Sequence, residues 1–218
     1  MTERKYKAVI LDFDGTIGDT RGLIVTTMQQ TIAELGLPAH TDDECAAMIG
    51  LPLKQTFTGL IPMDDATGSL CEATYRRLFD RNNRPGAVTE FPHVAETIRR
   101  MSSAGLLVTI ASSRLRRSLT EFVDTMGLAP YIPYILSAGD VTRAKPAPDM
   151  VLKTLADNGL EPEAAIVVGD TVFDIGMAVA AGVDAVGVTY GNGHRDDLVR
   201  AGACRVIDDF AELEEIVL

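Results

Sequence analysis

Short apolar runs alternate with helix-like segments along most of the chain. The runs, which are rich in β-branched or small residues, are residues 6–11, 106–111, 164–168 and 185–188. The segments with helical features are residues 92–101, 116–126, 148–158 and 170–181. Strands that alternate with helices form a parallel sheet with helices on both faces. The predicted fold class is therefore α/β, built on a doubly wound parallel sheet.

The region between Gly18 and Gly86 interrupts this alternation. Its apolar residues recur at helical spacing, as in the stripe from Ile24 to Leu35, and no run in it predicts a strand. Gly and Pro residues divide it into short segments. The predicted organisation is an α/β catalytic core of residues 1–17 and 87–218. Residues 18–86 are predicted to form a small all-helical cap domain inserted after the first strand.

The composition disfavours several classes of protein. Hydrophobic residues make up 46% of the chain and charged residues 23%, which is typical of a folded domain. The formal net charge of −11 disfavours nucleic acid and anionic membrane surfaces as partners. No segment has the length of a membrane span, and the first apolar run is too short for a signal peptide. The three cysteines have no CxxC spacing, so a reduced, cytoplasmic location is expected.

Polar and charged residues follow the predicted strands. The carboxyl ends of parallel strands share one edge of the sheet, and ligands bind at that edge in open α/β sheets. Residues far apart in sequence should therefore meet there. The residues that this topology would gather are Asp12, Asp14, Ser112, Ser113, Lys145, Asp170 and Asp174.

These residue types suit a phosphate ester bound together with Mg²⁺. Carboxylates held close together repel one another unless a cation or a shared proton relieves them. Mg²⁺ prefers oxygen ligands and keeps several waters, so Asp12, Asp170 and the backbone carbonyl of Asp14 would suffice. A hydroxyl of Ser112 at a helix N-terminus and the ammonium of Lys145 suit phosphate oxygens. One carboxylate could then act as nucleophile and another as general acid and base.

One helical turn separates Asp170 from Asp174 in the predicted helix. Asp174 would then face the same side as Asp170, where it could hold Lys145 or a water molecule bound to the metal.

Four segments, in their order, resemble the haloacid dehalogenase (HAD) superfamily of phosphotransferases. They are DFDGT at Asp12–Thr16, Ser112, Lys145, and GDTVFD at Gly169–Asp174, and they span nearly the whole chain. The resemblance implies a HAD-like Rossmannoid core, and the helical insertion resembles the smaller cap type of that superfamily.

The resemblance also implies roles for individual residues. Asp12 would be the nucleophile, and Asp14 the general acid and base. Mg²⁺ would be bound by Asp12, Asp170 and the carbonyl of Asp14. The phosphoryl group would be held by Ser112, Ser113 and Lys145, with Thr16 and Asp174 in supporting roles.

Within the superfamily, the chain resembles the phosphoglycolate phosphatase and pyrophosphatase-like branch, through KPAPD at Lys145–Asp149 and the cap segment Gly50–Phe57. This implies hydrolysis of a small phosphomonoester through an aspartyl-phosphate, with phosphoglycolate as the first candidate, by a monomer or homodimer. The chain departs from the branch at Ser112-Ser113, where relatives have Thr followed by Asn or Ser. It also has Phe91-Pro92-His93-Val94 where relatives often have Tyr-Pro-Gly-Val.

Other functions and roles stay open at this point. A phosphomutase resembling β-phosphoglucomutase is one alternative, and a phosphate-accepting receiver domain is another. A dehalogenase is disfavoured because Asp14 is present. In the cap, Lys54 is a candidate substrate contact or an ordinary surface residue. The cluster of Arg114, Arg116 and Arg117 is interpreted first as a solvated helix face and second as an attractor of substrate. His93 is interpreted as a surface or local structural residue, with no role assigned.

Overall fold

The central strand consists of four fully buried residues, Ala8–Leu11, as the first apolar run predicts. In the computed structural model, which describes residues 5–218, parallel partners flank it on both sides. The strands are β1 (Ala8–Leu11), β2 (Gly18–Asp19), β3 (Thr89–Glu90), β4 (Leu107–Ser112), β5 (Tyr134–Ser137), β6 (Ala165–Gly169), β7 (Asp184–Val188) and β8 (Arg205–Ile207). Six of them form one parallel sheet in the order β5-β4-β1-β6-β7-β8.

Helices cover both faces of this sheet. They are α1 (Arg21–Glu34), α2 (Asp42–Ala46), α3 (Leu53–Leu60), α4 (Asp65–Asn82), α5 (Val94–Ser103), α6 (Arg116–Thr125), α7 (Asp149–Asn158), α8 (Val172–Ala180), α9 (Arg195–Ala201) and α10 (Glu214–Val217). Alternate residues of β1 face opposite ways, so Val9 and Leu11 pack with α5 and α6, whereas Ala8 and Ile10 pack with α7 and α8. The predicted doubly wound α/β fold is confirmed.

Helices α1–α4, here called the cap helices, lie between β2 and β3. Helices α1 and α4 pack together through apolar side chains, and Arg77 of α4 pairs with Glu34 of α1. The connecting segments before α1 and after α4 form a short antiparallel pair, β2 with β3. The expectation of no strand after Gly18 is therefore wrong at residues 18–19. The predicted boundary between cap and core stays a prediction, and residues 1–4 of that core lie outside the described residues.

The sequence pattern missed several elements because their signals are weak, among them the short β3, α9 and α10. Strands β5 and β8 lie at the two edges of the sheet, and they have only four and three residues, some of them exposed. Helix α3 contains two Thr and a Gly, which are poor helix formers, and it buries little beyond Thr56 and Phe57. The predicted helices at residues 92–101 and 170–181 begin two residues later than expected, at Val94 and Val172.

His93 precedes α5 in a left-handed backbone conformation, with φ of 63°, a region that favours Gly. Its Nδ1 lies 2.8 Å from both carboxylate oxygens of Asp209. This exposed contact is compatible with the interpretation of His93 as a surface or local structural residue. Over residues 5–218, no helix is both long enough and apolar enough to cross a membrane.

Candidate active site

The register of the central strands brings the predicted residues to one edge of the sheet. Leu11 in β1 is level with Ile110 in β4 and with Val168 in β6. Asp12 follows Leu11 directly, while Ser112 and Asp170 each lie two residues beyond the level of Leu11. These three side chains are buried, with 4% or less of each residue exposed. The sheet therefore gathers them as the topology predicts.

Lys145 is a buried cation at the centre of this edge. Its Nζ donates to Oδ1 of Asp12 at 2.5 Å and to Oδ1 of Asp174 at 2.6 Å, and its side chain is fully buried. Burial alone would lower the pKa of Lys145, but the carboxylates of Asp12 and Asp174 together raise it above its ordinary value. Lys145 therefore carries its positive charge between these two acids.

Asp174 is fixed by the beginning of α8. Its Oδ2 accepts hydrogen bonds from the backbone N of Thr171 at 3.0 Å and from Thr171 Oγ1 at 2.7 Å. This capping arrangement leaves Oδ1 to meet Lys145. The predicted pairing of Asp174 with Lys145 is present, although Asp170 precedes the helix rather than forming its first turn.

Asp170 is held by the loop that follows β7. Its Oδ2 accepts from the backbone N of Asn192 at 2.7 Å and from Nδ2 of Asn192 at 2.9 Å. Thr16 Oγ1 donates to Oδ1 of Asp170 at 3.4 Å, which gives Thr16 the supporting contact predicted for it. Burial, together with the charge of Asp174, raises the pKa of Asp170 to about 7, against the opposing hydrogen bonds from Asn192.

Gly15 allows the DFDGT turn to approach Asp170 closely. Its φ is 88°, and a Cβ atom there would lie 2.1 Å from Oδ2 of Asp170. From the other side, a Cβ on Gly191 would lie 2.3 Å from the backbone oxygen of Gly15. Glycine is thus required at Gly15 by both backbone conformation and space.

Asp14 forms a buried ion pair with Arg114. Nε of Arg114 donates to the two Asp14 oxygens at 3.2 Å and 3.1 Å, and a terminal guanidinium nitrogen also bonds Oδ1. Burial disfavours the charged guanidinium, but Asp14 outweighs this effect and raises the pKa of Arg114. The side chains of Arg114 and Asp14 are only 7% and 14% exposed.

Three aromatic rings surround the Arg114 guanidinium. Its central carbon lies 5.8, 5.1 and 4.9 Å from the ring centres of Phe13, Phe79 and Phe122, which are cation–π distances. This enclosure contradicts the interpretation of Arg114 as part of a solvated helix face. The residues next to Arg114 in the sequence gave no sign of the enclosure. Arg116 and Arg117 lie in α6, are exposed, and pair with acids as a solvated face would.

Ser112 and Ser113 use their hydroxyls in different ways. Ser112 is the last residue of β4, and its Oγ accepts a hydrogen bond from the backbone N of Arg114 at 3.2 Å. Ser113 Oγ donates to the backbone oxygen of Gly50, between α2 and α3, at 2.6 Å. The expectation that Ser112 stands at a helix N-terminus is wrong, since α6 begins at Arg116.

The donor set at the sheet edge fits a divalent cation. Asp12, Asp170 and Asp174 each offer an oxygen within 4.8 Å of the others. With Asp14 included, four carboxylates face two cations, Lys145 and Arg114, so two negative charges lack a counter-charge. Burial and the neighbouring acids raise the pKa of Asp12 despite Lys145, which reflects this excess. Carboxylate oxygens are the ligands that Mg²⁺ prefers.

A cavity of about 340 Å³ lies between the cap helices and the sheet edge. Asp12, Asp14 and Ser113 line it on the core side, and residues of α1, α3 and α4 line it on the other. Lys54 also lines the cavity, but its Nζ pairs with Asp65 at 2.5 Å. The structure thus places Lys54 beside the candidate site with its charge already partnered.

Sequence reasoning missed two residues that shape the site, Asn192 and Tyr190, and it did not predict the pairing of Arg114 with Asp14. The Tyr190 hydroxyl donates to the backbone oxygen of Thr16 at 3.0 Å. Tyr190 and Asn192 lie just after the predicted run at residues 185–188, in the segment Tyr190–Gly193. A Gly-Asn-Gly segment at the end of a predicted strand was the signal that could have marked them.

The comparisons with known proteins agree with this geometry. The family model described as haloacid dehalogenase-like hydrolase matches residues 9–188. The chain is 31% identical to the "Probable phosphatase IndB" of Dickeya dadantii, over 94% of this chain and 90% of that protein. It is 28% identical to a phosphoglycolate phosphatase of Agrobacterium fabrum, over 98% and 93% of the two chains.

A solved structure shares the fold over nearly the full length. A haloacid dehalogenase-like hydrolase from Bacteroides fragilis superposes with a TM-score of 0.87 and 27% identity, covering 96% of this chain and 100% of that one. Membership of one family is supported by the family model, the relatives and this solved structure alike. The same findings argue against a receiver domain. The chain belongs to the haloacid dehalogenase-like hydrolase family, in which its relatives include proteins named as phosphatases.

Proposed function

We propose that this enzyme hydrolyses a small phosphomonoester with Mg²⁺, through an aspartyl-phosphate on Asp12. The observation that carries the proposal is the pair of acids, Asp12 and Asp14, that line one cavity while bonded to different cations. Lys145 holds one oxygen of Asp12, and Arg114 holds Asp14. The two carboxylates therefore occupy different environments, which is the condition for giving them different tasks.

In the first step, a carboxylate oxygen of Asp12 attacks phosphorus, and the bond from phosphorus to the leaving oxygen breaks. For this step Asp14 must first take up a proton, although its contact with Arg114 favours the carboxylate form. Asp14 then gives that proton to the leaving oxygen, so that an alcohol departs. Lys145 keeps Asp12 oriented, and together with Ser112 and Ser113 it would hold the phosphoryl oxygens. The hydroxyl of Ser113 would exchange its bond to Gly50 for one to the phosphoryl group.

In the second step, Asp14 accepts a proton from a water molecule that attacks the phosphorus of the aspartyl-phosphate. The bond between phosphorus and Asp12 breaks, inorganic phosphate leaves, and Asp12 returns as a carboxylate. Asp14 then carries the proton that it donates in the first step of the next catalytic cycle.

Mg²⁺ would be held by Asp12, Asp170 and the carbonyl of Asp14. When bound, it supplies positive charge that offsets the excess of buried carboxylates and lets a phosphate dianion approach them. Asp174 is tied to Thr171 and Lys145 and would position Lys145. Asn192 and Thr16 keep Asp170 turned toward the site.

The cap helices would select the leaving group and exclude bulk water, a common use of a lid over a reaction. Contacts that join them to the loop after β4 include those of Ser113 with Gly50 and of Arg114 with Phe79 of α4. Ser113 and Arg114 directly follow β4. The position of the cap helices would therefore be coupled to the end of the cavity where phosphate binds.

A panel of phosphate esters tests this function, with phosphoglycolate as the first substrate because the resemblance and a relative's name suggest it. We expect repeated turnover with release of inorganic phosphate. Chelation with EDTA should remove the activity and added Mg²⁺ should restore it, because the crowded buried carboxylates then lose and regain the cation that lets a phosphate approach them.

Three outcomes would contradict the proposal. Undiminished turnover in EDTA would exclude the role of a divalent metal. With a sugar phosphate, isomerisation faster than phosphate release would favour the phosphomutase alternative. Uptake of a single phosphate per chain without turnover would favour a receiver-like function.

A further inference from the structure

We propose that the preferred substrate has an uncharged, largely apolar leaving group that is larger than glycolate. This inference rests on the proposed function, and it concerns the part of the cavity lined by the cap helices, here called the leaving-group end. The observations that carry it are the lining of that end, its balance of charges and the volume of the whole cavity.

The walls of the leaving-group end are mostly apolar. Helix α1, the segment around the start of α3, and helix α4 each contribute to them. The side chains concerned are Ile24, Met28, Leu51, Leu53, Tyr75 and Phe79. The rings of Tyr75 and Phe79 stack with centres 5.8 Å apart, which gives one wall a rigid aromatic surface. Such walls stabilise an apolar group in proportion to the area that leaves water.

The cations at this end are already neutralised. Each pairs with an acid of the cap: Lys54 with Asp65 at 2.5 Å, Arg76 with Glu72 at 2.5 Å, and Arg117 of α6 with Asp80 at 3.3 Å. Glu121 adds a further exposed carboxylate to the lining. Among the described lining residues, the leaving-group end therefore has no excess of positive charge.

The two buried cations nearer the sheet edge cannot supply that charge. Lys145 is shared between Asp12 and Asp174, and Arg114 is committed to Asp14. A carboxylate such as that of phosphoglycolate would thus enter a cavity with largely apolar walls, where the cations are already paired and Glu121 adds a negative charge. Burying an unpaired charge is strongly unfavourable, so the same walls that favour an apolar group also reject an anionic one.

The volume of the whole cavity also favours a leaving group larger than glycolate. Its volume of about 340 Å³ falls in the range of about 300–1,000 Å³ that holds drug-sized ligands. Phosphoglycolate has two carbon atoms and a phosphate, and would leave the walls around Tyr75 and Leu53 uncovered. A leaving group with a ring or a branched chain would reach them.

Two matched pairs of esters test this inference on the full-length enzyme with Mg²⁺. Ethyl phosphate and phosphoglycolate differ in a carboxylate at the same chain length, and benzyl phosphate and 4-carboxybenzyl phosphate differ in the same way at larger size. We expect kcat/KM for benzyl phosphate to exceed that for ethyl phosphate by about tenfold or more, since the ring fills the apolar space. Each neutral ester should exceed its anionic partner by a similar factor.

Glu121 offers a variant that tests the charge argument. Glu121→Lys should raise the ratio of kcat/KM for 4-carboxybenzyl phosphate to that for benzyl phosphate several-fold. Glu121→Gln should move the ratio in the same direction by less, because it only removes a negative charge.

The outcomes separate this inference from the proposed function. If all four esters turn over but either anionic ester is preferred to its neutral partner, the inference is wrong and the phosphatase function stands. If none of these or other phosphate esters turns over, the proposed function fails and the inference fails with it. A ratio unmoved by Glu121→Lys would exclude the argument from charge.

Discussion

Asp12→Asn is expected to abolish turnover while the chain stays folded. An amide oxygen is too weak a nucleophile to form the acyl-phosphate, and removing a nucleophile can lower kcat by on the order of 10⁶-fold. We expect a loss of at least about 10⁴-fold, measured as phosphate release with the best ester of the panel. Asp12→Ala should lose as much, and it guards against a trace of active protein formed when the introduced amide hydrolyses back to a carboxylate.

The fold should survive this change because of the charges around Asp12. Without metal, four acids of the buried cluster share two cations, and burial and crowding raise the pKa values of Asp12 and Asp170. The substitution removes one of these crowded acids. Lys145 keeps Asp174 as its partner, and the amide oxygen can still accept its hydrogen bond. The midpoint of thermal unfolding of the metal-free protein should therefore stay the same or rise.

A matched control is Asp43→Asn, in which the changed side chain is 94% exposed at the start of α2. Its activity should stay close to that of the unchanged enzyme. If Asp12→Asn kept more than a small fraction of the activity, Asp12 would not be the nucleophile. If Asp12→Asn unfolded the chain, the loss of activity would say nothing of catalysis. The circular dichroism spectra of the variant and of the unchanged protein are compared to test for unfolding.

Arg114→Met is expected to lower both stability and activity. Methionine fills part of the space among Phe13, Phe79 and Phe122, but Asp14 loses its partner inside the protein. Breaking a buried ion pair from one side costs about 3–5 kcal/mol. We expect the free energy of unfolding to fall by about 3 kcal/mol, at the low end because Asp14 faces the cavity.

The activity should fall because Arg114 positions Asp14. General acid and base catalysis contributes about 10²–10⁴-fold, and a misplaced Asp14 would forfeit part of it. We expect kcat to fall by about 10- to 100-fold. Arg114→Lys should recover part of this, since lysine keeps the charge but lacks the two-pronged contact and the flat stacking surface.

A double-mutant cycle separates the ion pair from simple packing. In the Asp14→Asn background, Arg114→Met no longer leaves the Asp14 carboxylate without a partner. Arg114→Met should therefore destabilise that variant by clearly less than it destabilises the unchanged protein. Arg116→Met is the control, because Arg116 is exposed and pairs with Asp140 at the surface, where such pairs contribute about 0–1 kcal/mol. Equal losses from Arg114→Met in both backgrounds would exclude the role assigned to the Arg114–Asp14 pair.

The central part of the fold could be predicted because its strands are buried on both faces. Residues 8–11 and 165–169 are continuous apolar runs, and a single pattern sets both their structure and their position in the sheet. The polar residue after each run then marks the site. Strands β5 and β8 gave no such signal, because edge strands are short and partly exposed.

The contacts of the site were harder to predict because they join distant segments. Arg114 is separated by 100 residues from Asp14, and Asn192 by 22 from Asp170. A basic residue after two serines is usually solvated, and only the enclosure by rings from the cap and the core makes Arg114 different. The lining of the cavity likewise depends on how the cap helices meet the sheet, which local pattern does not determine.

The measurement that tests the central claim most directly is chemical trapping of the acyl-phosphate. Borohydride reduces an aspartyl-phosphate to homoserine, and mass spectrometry of peptides then identifies the residue. During turnover with Mg²⁺ and a phosphate ester, we expect conversion at Asp12 that depends on the ester and is absent from Asp12→Asn protein. Conversion at another residue, or none at Asp12 while phosphate is being released, would contradict the account.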